Sequence, residues 1–488
     1  MSTSNEIFDL LESPEIDNNY DELQSLIDAD RSVLQSTGIL DYTFGNLPIH
    51  FACSNPHITL RVVQLLLDKW PGSISQANEY GSLPIHFLCE NDKLVKAVLV
   101  DILTVLLTTF PESVQHENSD GALPLHRAAR SGMPLEVLKI LVNMYPESVR
   151  IPVSSTGALP IHRACVSSNC NLDSVEYLLL DYPEGINVRD SEGRLPIHYA
   201  AISLGAQKAD VIEHLLSKDL TCVSKVTNNH RQTPLHLACL SDLAPDLSSI
   251  QLLFDAYPEA ILERDVDGYT PLRFMHMIES NSITDFLQTQ LEYAKKSQDI
   301  NAMAALDQNR WLPLHHALKN NAPLGSIKLL VKGFALAVRV PDNNMTFPLH
   351  IAFEYSTIKV VRYLMSMLDD SIWNHLDVNK DSILHYACRG GNCEVVKYLL
   401  DKQSPYVSEH NADKKLPIHL LCQYGLPPSS LEHTDTVYRL LLADPETVRK
   451  SGDSENGGGR DQQMMVLIAI LFAVIAALLA DKLNIVLL

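Results

Sequence analysis

The chain has 488 residues and a formal net charge of −21. That length is too great for one hydrophobic core, so the chain must divide or repeat. The acidic balance argues against a nucleic-acid partner, which needs a basic footprint. The nine cysteines are scattered, with no pairing framework, which fits a reducing compartment.

The first thirty residues carry nine acidic side chains and no Lys or Arg, and contain no basic, apolar leader. Asp21–Ile27 has helical spacing. Residues 1–39 are expected to be an acidic lead-in with a partial cap at the start of the folded region.

From Leu47 onward one block recurs. At 159–165 it reads Leu-Pro-Ile-His-Arg-Ala-Cys. Close copies begin at Leu47, Leu83, Leu123, Leu195, Thr233, Leu312, Phe347 and Leu416, and weaker ones at Thr270 and Ser382. The eleven copies are 36, 40, 36, 36, 38, 37, 42, 35, 35 and 34 residues apart, a period that signals a stacked array. The Pro of the block suits the first turn of a helix because it fixes φ and lacks an amide hydrogen. Ile161, Ala164 and Cys165 then share one helical face. An Asx–Gly turn precedes many copies, as in Asn78–Gly81 and Asp190–Gly193, and a second apolar-periodic run succeeds them, as in Val175–Leu180. Each unit therefore reads turn, helix, loop, helix.

This pattern resembles the ankyrin-repeat family over roughly residues 40–445, and Thr233-Pro-Leu-His-Leu-Ala238 is a near copy of the family's block. The resemblance implies an all-α solenoid of about eleven helix–turn–helix repeats with finger turns, spanning residues 40–450. Two departures stand out. Leu or Phe replaces the capping Thr in eight copies, and a lost cap costs about 1 kcal/mol. Arg231, Arg310, Met345, Lys380 and Lys414 replace the turn Gly, so the later fingers are expected to be less regular.

Two steps are long. Leu94 to Phe110 is read as an over-long buried helix. The 42-residue step contains a degenerate copy with Arg273 in the His place and a polar insert at 295–299. Several second runs end in an aromatic, Pro and Glu, as in Tyr145-Pro-Glu147, where Pro is expected to stop the helix.

Residues 451–463 form a Gly-rich polar linker. Met464 to Ala480 then has no polar side chain, and helical extension through Leu488 would span a bilayer. Residues 464–488 are therefore expected to be a single C-terminal membrane anchor, leaving the repeats on the cytoplasmic side.

No nucleotide-binding, metalloprotease or nucleophile-elbow motif is present, so no enzyme is expected. Ten of the nineteen His fall at the repeat position, and six Cys stand three residues after it. These are read as structural, with no metal and no cofactor. The function implied is a membrane-tethered adaptor binding a partner protein through the concave face. The alternatives are a single-span subunit of a transport or channel assembly, and a soluble chaperone or inhibitor. Candidate contacts are the side chains that differ between copies: Tyr80, Arg130, Arg194, Tyr269, Trp311, Tyr355 and Tyr424. Tyr269 and Trp311 occupy one finger position in consecutive copies and mark the expected centre, unless they cover the insert at 295–299.

Overall fold

A computed structural model describes residues 3–35, 44–240, 246–271, 306–368, 375–402, 404, 406–424 and 431–444. The degenerate copy's helices, the insert at 295–299, the linker and the apolar segment 464–488 lie outside the described residues. The chain forms two compact units, Met1–Ala260 and Ile261–Leu488.

In the first unit, short first helices alternate with longer second helices. Pro48–Ser54, Pro124–Arg130, Pro160–Val166 and Pro196–Ile202 are first helices, each opened by its Pro. Leu60–Lys69, Leu135–Met144, Leu172–Asp181 and Lys208–Lys218 are second helices. First helices stack on first helices and second on second. The shared face of the block is the core: Ile161, Ala164 and Cys165 are buried, as are their counterparts Ile49, Ala52 and Cys53. Small Ala at the contact lets neighbouring helices approach.

The chain start is more than a partial cap. Thr3–Glu12 joins Tyr20–Ala29 to make a full helix pair. Ile7, Leu11, Leu23 and Ile27 are fully buried, and Phe8 packs edge-on against Phe51 at 4.9 Å. Asn55 Nδ2 donates to the carbonyls of Leu11 and Ser13 at 2.6 and 3.1 Å. Asn91 does the same one repeat later, to Cys53 and Asn55. These amides satisfy carbonyls left over at the end of the preceding first helix.

The second helix of the 40-residue repeat is Lys96–Thr109, 14 residues against 10 in Leu135–Met144. The four extra residues are about one helical turn, which accounts for the long step. It is half-buried rather than buried throughout: Leu99, Ile102, Leu103 and Leu106 face the core while Asp101 and Thr108 are exposed. Among the described residues, no helix is long and apolar enough to cross a membrane.

The aromatic-Pro-Glu signals do end α-helices, but each Pro also opens a five-residue 3-10 turn. Pro111–Gln115, Pro146–Arg150 and Pro183–Asn187 obey this rule, as does Pro71–Ser75 after Trp70 with Gly72 in place of the Glu. Each turn buries an apolar residue such as Val114 or Val149, and in three of them the Ser before it donates back to the aromatic's carbonyl, as Ser113 does to Phe110 at 2.7 Å.

The second unit repeats the scheme with first helices Pro313–Lys319, Pro348–Tyr355, Ile383–Arg389 and Pro417–Tyr424. The expected irregularity of its fingers is corrected by the structure. Arg310, Met345, Lys380 and Lys414 stand at φ of 60, 59, 59 and 59°, and Arg231 of the first unit at 52°. They hold the left-handed conformation of Gly157 (φ 68°) and Gly193 (φ 76°). A side chain there costs about 1–2 kcal/mol. Hydrogen bonds of the turn hold it in place. Asp342 Oδ1 accepts from the amides of Asn344 and Thr346, and Asp377 Oδ1 from those of Asn379 and Asp381, all at 2.8 Å. Successive fingers are also linked: the amides of Asn343 and Val378 donate to the carbonyls of Asn309 and Asn344. The first unit carries the same ladder from Phe44 through Tyr80, Asp120 and Thr156 to Glu192.

Candidate protein-binding face

The repeat His fixes the base of the face. In all ten described copies its Nδ1 accepts the amide of the residue three before it, at 2.9–3.2 Å. The remaining nitrogen, Nε2, then carries the proton. It donates to a carbonyl of the next repeat from His86, His126, His162, His198, His350 and His385. Burial holds His162 and His198 down to about 4, so the rings are neutral. The amide that a Thr hydroxyl caps is that of the His itself, and in the Leu copies it donates instead to the carbonyl three residues before, as His162 N does to Leu159 O at 3.0 Å. Leu83, Leu123, Leu159 and Leu312 at that place are at most 2% exposed, so the apolar side chain is core. Burying a Leu is worth about 1.5–3 kcal/mol, more than the ~1 kcal/mol of the missing cap.

The residue after the repeat His reaches back to its own finger. Tyr199 donates to Asp190 Oδ2 at 2.7 Å, Tyr386 to Asp377 Oδ2 at 2.9 Å, and His316 Nε2 meets Asp307 Oδ2 at 3.0 Å. Arg163 donates to Thr156 Oγ1 at 2.9 Å, and Arg127 lies 3.6 Å from Asp120. Within each unit, first helices and fingers therefore share a face. Sequence reasoning missed this row. Its signal was that the position varies while both neighbours repeat.

On this face the candidates separate. Tyr80, Tyr355 and Tyr424 are 51%, 44% and 53% exposed. Tyr80 stacks at 4.9 Å on Phe44, itself exposed at the neighbouring fingertip and absent from the candidates. Arg130 is exposed at the end of its first helix. Arg194 is engaged inside its own repeat: it pairs with Asp190 and Glu192 and lies 5.3 Å over the Tyr199 ring. Tyr269 and Trp311 are half-buried, and both rings pack on His316, at 5.9 and 4.9 Å. Trp311 Nε1 donates to Asp342 Oδ2 at 2.9 Å, and Lys319 lies 5.2 Å over its ring. Much of both rings is therefore committed within the chain. The alternative that they cover 295–299 lies outside the described residues.

Eight of the nine thiols are buried and all nine are free. Burial pushes Cys53 up to about 12 and Cys422 up to about 11, so both stay protonated at neutral pH. Among the described residues, no three His, Cys, Asp or Glu side chains are grouped so as to hold a metal.

The fold and face define a class: a helical repeat protein with finger turns, whose repeated side chains build the frame and whose variable ones line one surface of each unit. Residues 97–190 and 161–263 match a family model described as ankyrin repeats (3 copies), and residues 334–400 match one described as ankyrin repeats (many copies). Both models support the ankyrin-repeat family for this chain. It is 26% identical over 278 residues to the human transient receptor potential cation channel subfamily A member 1, covering 56% of this chain and 20% of the channel. Inversin of Canis lupus familiaris is 27% identical over 226 residues, covering 46% of this chain and 19% of inversin. The probable 26S proteasome regulatory subunit p28 of Saccharomyces cerevisiae is 24% identical over 202 residues, covering 35% of this chain and 84% of p28. The chain thus spans about a fifth of the first two relatives.

Proposed function

We propose that the protein is a membrane-tethered, non-enzymatic adaptor that binds a partner protein through its finger and first-helix face. The observation that carries this reading is the division of labour along the face. The repeated Pro, His and Cys are buried except for the half-buried His419 and Cys422, while Tyr80, Tyr355 and Tyr424, which differ between copies, present half of each side chain or nearly so to water. Tyr is a residue type over-represented where loss from an interface costs ~2 kcal/mol or more. The tether is the apolar stretch 464–488, and the repeats lie on the cytoplasmic side.

Affinity capture by the full chain in detergent tests the binding face. The Tyr80→Ala, Tyr355→Ala, Tyr424→Ala triple variant is expected to lose most of the specific capture of the wild type with an unchanged melting temperature. Equal capture per folded molecule would refute the face. The likeness to a cation channel's chain favours a second reading, a single-span subunit of a membrane assembly. Crosslinks from 464–488 to another protein's membrane segment would select it, because a simple anchor needs no neighbour.

A further inference from the structure

Four arginines stand on the described first helices: Arg127, Arg130, Arg163 and Arg389. Two of them are neutralised. Arg127 pairs with Glu90 and Asp120, and Arg389 with Asp381 and Glu354. The finger residue Arg194 is likewise held by Asp190 and Glu192. Arg130 and Arg163 differ, since among the described residues neither has a carboxylate within ion-pair distance. Arg163 is half-buried and its hydrogen-bonded side-chain partner is the neutral Thr156 hydroxyl. Burial, with the charges of Arg130 and Arg127, holds its guanidinium below the ordinary arginine range, and Tyr199 and the more distant Asp190 offset this in part. The three sit close by construction. Arg127 and Arg130 are one helical turn apart, and Arg163 holds Arg127's place on the next stacked first helix.

A chain of net charge −21 has carboxylates to spare, yet among the described residues neither guanidinium has one in direct contact. An uncompensated, partly desolvated cation is a cost that a bound anion would remove. We propose that Arg130 and Arg163 form an anchor for a carboxylate-rich, acidic segment of the partner protein. Arg127 adds attraction from behind, and the Thr156 hydroxyl fixes the Arg163 fork. The net charge of −21 repels such a segment at long range, so paired arginines on stacked first helices favour one register. This rests on the proposed binding face and names what the face recognises in the first unit.

The test uses the full chain in detergent and a fluorescein-labelled hexaglutamate peptide at low salt, monitored by anisotropy. Saturable binding is expected, weakened at least tenfold by Arg130→Gln with Arg163→Gln and lost as salt is raised. Arg130→Gln alone, at an exposed position with no ion pair to break, is expected to weaken it severalfold and guards against a folding defect. Unchanged affinity in the double variant, or no saturable binding, would overturn the proposal. So would binding of a phosphoserine peptide when hexaglutamate does not bind, since that would make the site a phosphate reader. If the arginine variants leave partner capture intact while the tyrosine variant abolishes it, the anchor is wrong and the binding face stands. If neither changes capture, the face itself is wrong.

Discussion

Leu159 shows how one residue can replace another's role by a different route. It stands where the family's block has Thr, is 2% exposed, and the amide of His162, which a hydroxyl would cap, donates to its carbonyl at 3.0 Å. Thr233 and Ser382 show the other solution, with a hydroxyl that accepts the His amide at 3.3 and 3.5 Å. Leu159→Thr would regain about 1 kcal/mol of cap and forgo about 1.5–3 kcal/mol of burial. The variant is expected to be less stable by roughly 1 kcal/mol, read as a lower urea midpoint at constant m-value. A higher midpoint would show that the hydroxyl outweighs the packing.

At the scale of the element, six of the described first helices are tied to the next repeat by a neutral imidazole. Burial holds His50, His86, His162 and His198 down to about 4 and His126 to about 3, against about 6.5 in an unfolded chain. Their folded values lie below the unfolded one, so the unfolded chain binds more protons in between. The stabilisation is whole above pH 6.5 and is lost as pH falls towards about 4. Each ring contributes a limiting slope of about 1.4 kcal/mol per pH unit. The urea midpoint is therefore expected to fall steeply between about pH 6.5 and 4.5. A flat midpoint over that range would mean the rings do not bond as described. The block, its period and the burial of its Pro, His and Cys could be read from spacing alone. The 3-10 turns could not, because Pro after an aromatic is equally compatible with stopping one helix and opening the next. The regular fingers at Arg310, Met345 and Lys380 were also hidden. A missing Gly looks like lost geometry until the Asx oxygen and the adjoining finger's carbonyl are seen to hold it. Thr3–Glu12 was concealed by its acids, although Ile7, Phe8 and Leu11 already lay on one face.

For the whole molecule, the candidate face was only partly readable. Sequence identifies which positions vary, and Tyr80, Tyr355 and Tyr424 proved exposed. It does not show which of them the chain uses itself. Arg194 is spent on Asp190 and Glu192, and Trp311 on Asp342 and His316. Residues brought together from a fingertip and the next helix, such as Arg163 and Thr156, give no signal in a linear pattern. Membrane attachment belongs to this scale too. Deleting 464–488 is expected to move the protein from the sedimenting membrane fraction to the supernatant with its helical circular dichroism retained. A truncated protein that still sediments with membranes would place the attachment elsewhere. Partner binding at the finger and first-helix face is tested most directly by hydrogen exchange of the full chain with and without its captured partner. Slowed exchange is expected at the fingertips around residues 44–46 and 79–82 and just after the first helices near 130–132 and 355–357. Protection confined to second helices such as Leu135–Met144 and Leu172–Asp181 would contradict it.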